Sequence, residues 1–241
     1  MQRNIKSLIG FAIGATDGEI GKVDEIYFDD NNWAVRYLVV ETGTWLFGRK
    51  VLISPQALIK VNWEEENFPV NLSKDQIENS PAIDTDKPVS RQQEIKLYQH
   101  YAWERYGGNG FYAGGVWAVL PTEPIYDEPI NDTITADDNV NLRSSHVVTG
   151  YHIHATDGEI GHVADFVIDD ENWQVLFIVI DTHNFIGGKK VLVPVKNIIQ
   201  VKWEDSQVLL DMSVAAIKDS SLFDESQFAL SGNTGSGHEG E

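Results

Sequence analysis

An internal repeat constrains this chain more than any other feature of its sequence. Ala15-Thr16-Asp17-Gly18-Glu19-Ile20-Gly21 recurs letter for letter as Ala155-Thr156-Asp157-Gly158-Glu159-Ile160-Gly161. The register holds without a gap from Gly10/Gly150 to Ser80/Ser220, with 28 identities in 71 positions at an offset of 140. Asp29-Asp30 meets Asp169-Asp170, Trp33 meets Trp173, and Trp63-Glu64 meets Trp203-Glu204. Chance does not produce this, so the gene segment was duplicated and each copy folds as a unit of roughly 75–80 residues, small but viable without staples. The 241 residues therefore divide into a first domain (1–80), an insert (81–146), a second domain (147–226) and a tail (227–241) whose Gly/Ser content predicts disorder.

Within a copy the pattern is that of strands. Trp33, Val35, Tyr37 and Val39 fall on one face of a period-two segment, and the matching run in copy two is Trp173–Thr182. Further apolar runs are Leu8–Ile13, Glu19–Phe28, Lys50–Ile53, Ala57–Trp63 and Phe68–Leu72. Asp17-Gly18 signals a hairpin and Asp29-Asp30-Asn31-Asn32 a second turn. Ser73 with Gln76 is a capping box for a short closing helix, and Ser213 opens its counterpart. Five or six short strands and one helical turn predict a mainly β fold, two small antiparallel barrels whose closure removes exposed edges.

This combination resembles the PRC-barrel family, the small β-barrel of the photosynthetic reaction-centre H subunit and of ribosome-maturation factors. The residues that carry the resemblance are Asp17-Gly18-Glu19-Ile20-Gly21-Lys22-Val23, Asp29, the strand Val35–Val40, and Lys50-Val51-Leu52-Ile53-Ser54-Pro55. In copy two they are Asp157–Val163, Asp169, Val175–Ile180 and Lys190–Pro194. The resemblance implies two PRC-type barrels in tandem, related by a pseudo-twofold and joined by a helix-bearing linker.

Composition excludes several chemistries. There is no cysteine, so disulfides, thiolate nucleophiles and iron–sulfur clusters are ruled out. The net charge of −19 opposes phosphate backbones and anionic lipid, so nucleic acid is not an expected partner. The segment Met1–Gly14 is too short and too broken by glycine for a signal peptide, and the longest uncharged stretch, Tyr106–Thr122, falls short of a bilayer span. These features predict a soluble, cytoplasmic protein without membrane insertion.

Four of the seven histidines, His152, His154, His162 and His183, lie in copy two. His152 and His154 share a strand face, and Asp157 or Asp165 would complete a metal site. A two-residue Asp157-Gly158 turn, however, pairs His162 with Ile153 and turns it away from that face. The expectation is therefore solvated or interface histidines, no assigned metal and no cofactor, with His152, His154 and Asp157 as the candidate ligands. The turns Asp29-Asp30-Asn31 and Asp169-Asp170-Glu171 lack the glycine and distal glutamate of a calcium loop. Gly108-Asn109-Gly110-Phe111-Tyr112-Ala113 mimics a dinucleotide fingerprint but follows a helix and opens no βαβ unit.

In the insert, Ser90 and Gln93 predict a helix running to Gly107-Gly108, with Ile95, Tyr98, Ala102 and Tyr106 on one stripe. Tyr98, Tyr101, Trp103, Phe111, Tyr112 and Trp117 either pack on the chain's own barrels, the favoured reading, or meet a partner or a second copy. No catalytic motif is present, so the expected function is that of a non-enzymatic binding or scaffold protein with a protein partner. The family resemblance implies an alternative, an H-subunit-like accessory to electron and proton transfer. The copy-two histidines suggest another, a stress-response or metal-binding protein.

Overall fold

In the computed structural model, which describes residues 1–81, 91–103, 142–182 and 188–228 (the side chains of 91–93 and 95 excepted), both copies are built from strands. The chain opens with β1 (Gln2–Asn4) and a 3-10 turn, Ile5–Leu8. Copy one continues with β2 (Ala12–Ala15), β3 (Gly18–Asp29), β4 (Val35–Glu41), β5 (Lys50–Ile53), β6 (Asn67–Pro69) and α1 (Lys74–Glu78). The insert contributes α2 (Arg91–Tyr101). Copy two begins at β7 (Leu142–Ser144) and α3 (Ser145–Val148), ahead of residue 147. It continues with β8 (His152–Ala155), β9 (Gly158–Asp169), β10 (Gln174–Asp181), β11 (Lys190–Pro194), β12 (Ile198–Lys202), β13 (Gln207–Leu210), α4 (Val214–Lys218) and α5 (Glu225–Phe228).

Each copy is an antiparallel meander whose last strand returns to lie parallel to its first: β5-β4-β3-β2-β6 in copy one and β11-β10-β9-β8-β13-β12 in copy two. Neither ring is closed by a ladder among the described residues. In copy one β5 runs into the Pro55–Ala57 turn, after which Leu58 bridges Val70 and Asn71 N donates to Ala57 O at 2.9 Å. The expected strand over 57–63 is thus reduced to isolated bridges, whereas copy two forms β12. One cause is Pro69, which accepts from Ile59 N but has no N–H to return; its counterpart is Leu209.

The two sheets are interlocked. β1 does not join copy one but pairs with β9 of copy two, and β7 reciprocates by pairing with β3 of copy one. The 140-residue offset maps one exchange onto the other: Arg3 Nε meets Asp170 Oδ2 at 2.6 Å, and Arg143 Nε meets Asp30 Oδ2 at 2.6 Å. Val35 N donates to Trp173 O and Val175 N to Trp33 O, both at 2.8 Å, around an Ala34–Gln174 bridge that sits on the pseudo-twofold axis. Trp33 and Trp173 thus lie at the barrel–barrel contact, with left-handed φ of 61° and 56°. Phe28 packs on Phe166 (5.1 Å between centroids) and Phe68 on Trp173 (5.8 Å), so one apolar core runs through both copies. Trp63 packs against this core, but Trp203 is 46% exposed, so this recurring pair does not share one structural role.

The outer sheet faces are covered differently. On copy one, α2 is held by a polar network in which Arg36 Nη2 donates to Glu94 Oε1 and to Tyr98 Oη, and Tyr37 Oη donates to Glu94 Oε1, all at 3.1 Å. On copy two, Phe223 and Phe228 stack at 5.3 Å over Phe177, the counterpart of Tyr37, and Leu192. α2 ends at Tyr101, not at Gly107-Gly108, because Ala102 takes a left-handed φ of 53° and Trp103 N turns back to Tyr98 O.

Candidate functional site

The copy-two hairpin departs from the expected register. Its turn residues are Thr156 and Asp157, and a bulge between His152 and His154 places His162 opposite His152. His162 therefore faces the same side as His152, contrary to expectation. Copy one carries the same bulge, and in both it goes with a glycine, Gly21 or Gly161, pressed so close to the next strand that a Cβ would overlap Glu41 O or Asp181 O. His154 Nε2 lies 3.4 Å from Glu159 Oε1, outside hydrogen-bond geometry. Asp157 is engaged elsewhere, its Oδ1 accepting from Val214 N at 2.7 Å at the start of α4, as Asp17 accepts from Lys74 N at the start of α1. Among the described residues no three His, Asp or Glu side chains form a group able to hold a metal. His183 lies outside the described residues.

The insert residues divide in two. Tyr98 and Tyr101 are buried against copy one and Trp103 stacks on Tyr101 at 4.3 Å, so their rings are occupied within the chain. His100 Nε2 adds a 2.6 Å hydrogen bond to Gln76 O. Phe111, Tyr112 and Trp117, and the tail from residue 229, lie outside the described residues.

At the pseudo-twofold axis the interlock forms a half-open cavity of about 140 Å³ lined by Glu25 and its counterpart Asp165 together with the exposed Lys6 and His146. Both carboxyls are raised above their ordinary values, chiefly by burial. Ser144 Oγ donates to Glu25; Asn4 Nδ2, Lys6 N and Phe166 N donate to Asp165 at 2.9, 3.2 and 2.8 Å. Each acid is thus gripped by the segment that crosses over from the other copy, which makes this pair part of the interlock.

The surface feature that stands apart is on copy one. A cleft of about 530 Å³ opens between the β2–β3 hairpin and the loop after β4, lined by Glu19, Lys22, Glu41, Thr44 and Trp45 among others. Its size is in the range of ligand and peptide clefts. The loop is tied by Thr42 Oγ1 donating to Arg49 O and by Gly48 N donating to Gly43 O, both at 2.6 Å. Trp45 and Leu46 turn inward onto the core, while Phe47 is 100% exposed with a left-handed φ of 53°. Leaving a phenylalanine in water forgoes roughly 1.5–3 kcal/mol of burial, and a non-glycine residue in the left-handed region costs about 1 kcal/mol more. The fold leaves this ring outward, where it adds nothing to stability. Sequence reasoning passed over it, although three consecutive large apolar residues between Gly43 and Gly48 mark a loop that cannot bury all of them.

A family model described as the PRC-barrel domain matches residues 2–77 and 149–213. No curated protein matches the chain. The matched segments cover more than half of the sequence and coincide with the two interlocked sheets, so the chain belongs to the PRC-barrel family and carries two copies of its domain.

Proposed function

We propose that this protein is a non-enzymatic scaffold whose protein partner docks on the Thr42–Arg49 loop and the adjoining cleft of the first barrel. The observation that carries the reading is Phe47, an aromatic ring wholly in solvent on a tied loop whose first residues, Thr42–Trp45, line a 530 Å³ cleft. Large aromatic side chains at the centre of a patch are the residues that anchor protein interfaces. The interlock supports the same reading, since a body with one continuous core presents its surface loops at fixed positions. Among the described residues no helix is long and apolar enough to cross a membrane, so nothing in them anchors the loop to lipid by a helical span.

The test is photo-crosslinking in the source cell, with a benzophenone amino acid at position 47 and, as control, at the exposed Glu65. One dominant adduct at 47 that is missing at 65 is the expected result. No adduct at 47, or the same bands at both positions, overturns the assignment.

A further inference from the structure

We propose that the contact between the two barrels is self-complementary in the manner of a homodimer interface, and that it accepts the matching barrel of a second copy of this chain. Every main element of the contact occurs twice, at an offset of 140: β1 on β9 and β7 on β3, Arg3 with Asp170 and Arg143 with Asp30, Val35 N to Trp173 O and Val175 N to Trp33 O. A patch in which residue i meets j and j meets i is the signature of an isologous interface. Ala34 and Gln174 pair directly with their own counterparts, which places the axis between them. This contact is independent of the Phe47 loop, so the inference stands whether or not that loop binds a partner.

Exchange between chains requires a tether that permits it. Residues 104–141 separate Trp103, stacked on the end of α2, from β7. Thirty-eight residues span at most about 135 Å, a length of chain sufficient for the second barrel of another molecule to take this place. Closure within one chain and closure between two chains form the same hydrogen bonds and ion pairs. They differ only in concentration: the intramolecular mate is present at an effective concentration of order millimolar. Two molecules opened together near that concentration therefore close on each other, giving a reciprocal dimer in which copy one of each chain holds copy two of the other.

The absence of cysteine makes the test direct. Full-length chains carrying Ala34→Cys alone and Gln174→Cys alone are mixed, unfolded, refolded together at near-millimolar concentration and oxidised. Residues facing each other across a β-bridge lie within disulfide reach. The expected product is a 34–174 linked pair of chains, in about tenfold excess over a Glu65→Cys plus Gln174→Cys control. A charge-reversed pair reads the same event without a covalent bond. In the closed molecule, Arg3→Asp sets two carboxylates against each other, and Asp170→Arg sets two guanidinium groups together. The exchanged pair restores one Arg–Asp contact in each barrel pair, so the refolded mixture runs at dimer mass and melts above either variant alone. An interchain disulfide yield no higher than the control overturns the proposal, as does a charge-reversed mixture that stays at monomer mass.

Discussion

Arg3→Ala perturbs the interlock at the residue that touches most of it. The Arg3 and Asp170 side chains are 7% and 6% exposed with Nε and Oδ2 2.6 Å apart, and the Arg3 guanidinium carbon lies 3.8 Å above the Trp63 ring. Arg3 thus joins the strand carried into copy two to an aromatic residue of copy one. Removing one partner of a buried pair costs about 3–5 kcal/mol when the other is left unpaired, and because Asp170 keeps the Met1 N-terminal ammonium the loss falls at the lower end. The lost cation–π contact adds about 1 kcal/mol, and the two losses overlap because they share one side chain. An overall destabilisation of about 3–4 kcal/mol is expected. Arg143→Ala breaks the counterpart pair at a wetter site, where the side chains are 17% and 9% exposed. Its cost is set at about 2 kcal/mol, below that of Arg3 because exposure weakens an ion pair. Urea unfolding followed by tryptophan fluorescence measures both, with unchanged m-values required for the comparison. A loss under about 1 kcal/mol for Arg3→Ala, or a loss for Arg143→Ala at least as large, removes the buried ion pair as the clasp of the interlock.

Three further expectations come from the same geometry. Gly161→Ala drives a Cβ into Asp181 O at a φ of +60°, and Gly21→Ala drives one into Glu41 O without that φ, so both lose at least about 2 kcal/mol and Gly161→Ala loses about 1 kcal/mol more, read by urea melts. Glu25 and Asp165 hold their protons more tightly folded than unfolded, so their contribution to stability is fully present at low pH and is lost as pH rises from the unfolded values of 4.5 and 3.8 through the raised folded ones. Glu25→Gln therefore gains stability relative to the wild type as pH rises through that window, and unfolding curves whose difference is flat with pH contradict burial as the cause. Phe47→Ser changes stability by no more than about 0.5 kcal/mol, because the ring touches nothing that the fold needs, and a larger loss in thermal unfolding shows that it packs after all.

Much of this architecture is legible in the sequence, and the exceptions have physical causes. The Ser73–Gln76 capping box forms as written, with Gln76 N donating to Ser73 Oγ and Ser73 N donating to Gln76 Oε1, because such a box is decided within four residues. The strands from Gly18 to Ile53 emerge because their period-two pattern survives burial. The strand exchange does not emerge. Gln2–Asn4 and Leu142–Ser144 are three residues each, too short to show a period, and share only the arginine at positions 3 and 143. Their role is set by Asp30 and Asp170, in turns that read from sequence as hydrophilic punctuation. The position of His162 fails for a different reason: a single bulge shifts every later residue of the strand, and Gly161 announces a special backbone without saying in which direction the register moves. The aromatic loop around Phe47 is hidden by its strand-like composition, since Trp45 and Leu46 do turn inward and only the third ring is left outside.

If the exchanged strands merge the two PRC barrels into a single cooperative body, neither barrel can unfold while the other stays intact. Differential scanning calorimetry of the full chain decides this. The expected result is one transition with equal calorimetric and van 't Hoff enthalpies, moved as a whole by Arg3→Ala even though that residue's ion pair is with copy two. Two separable transitions, only one of which shifts with Arg3→Ala, would contradict it.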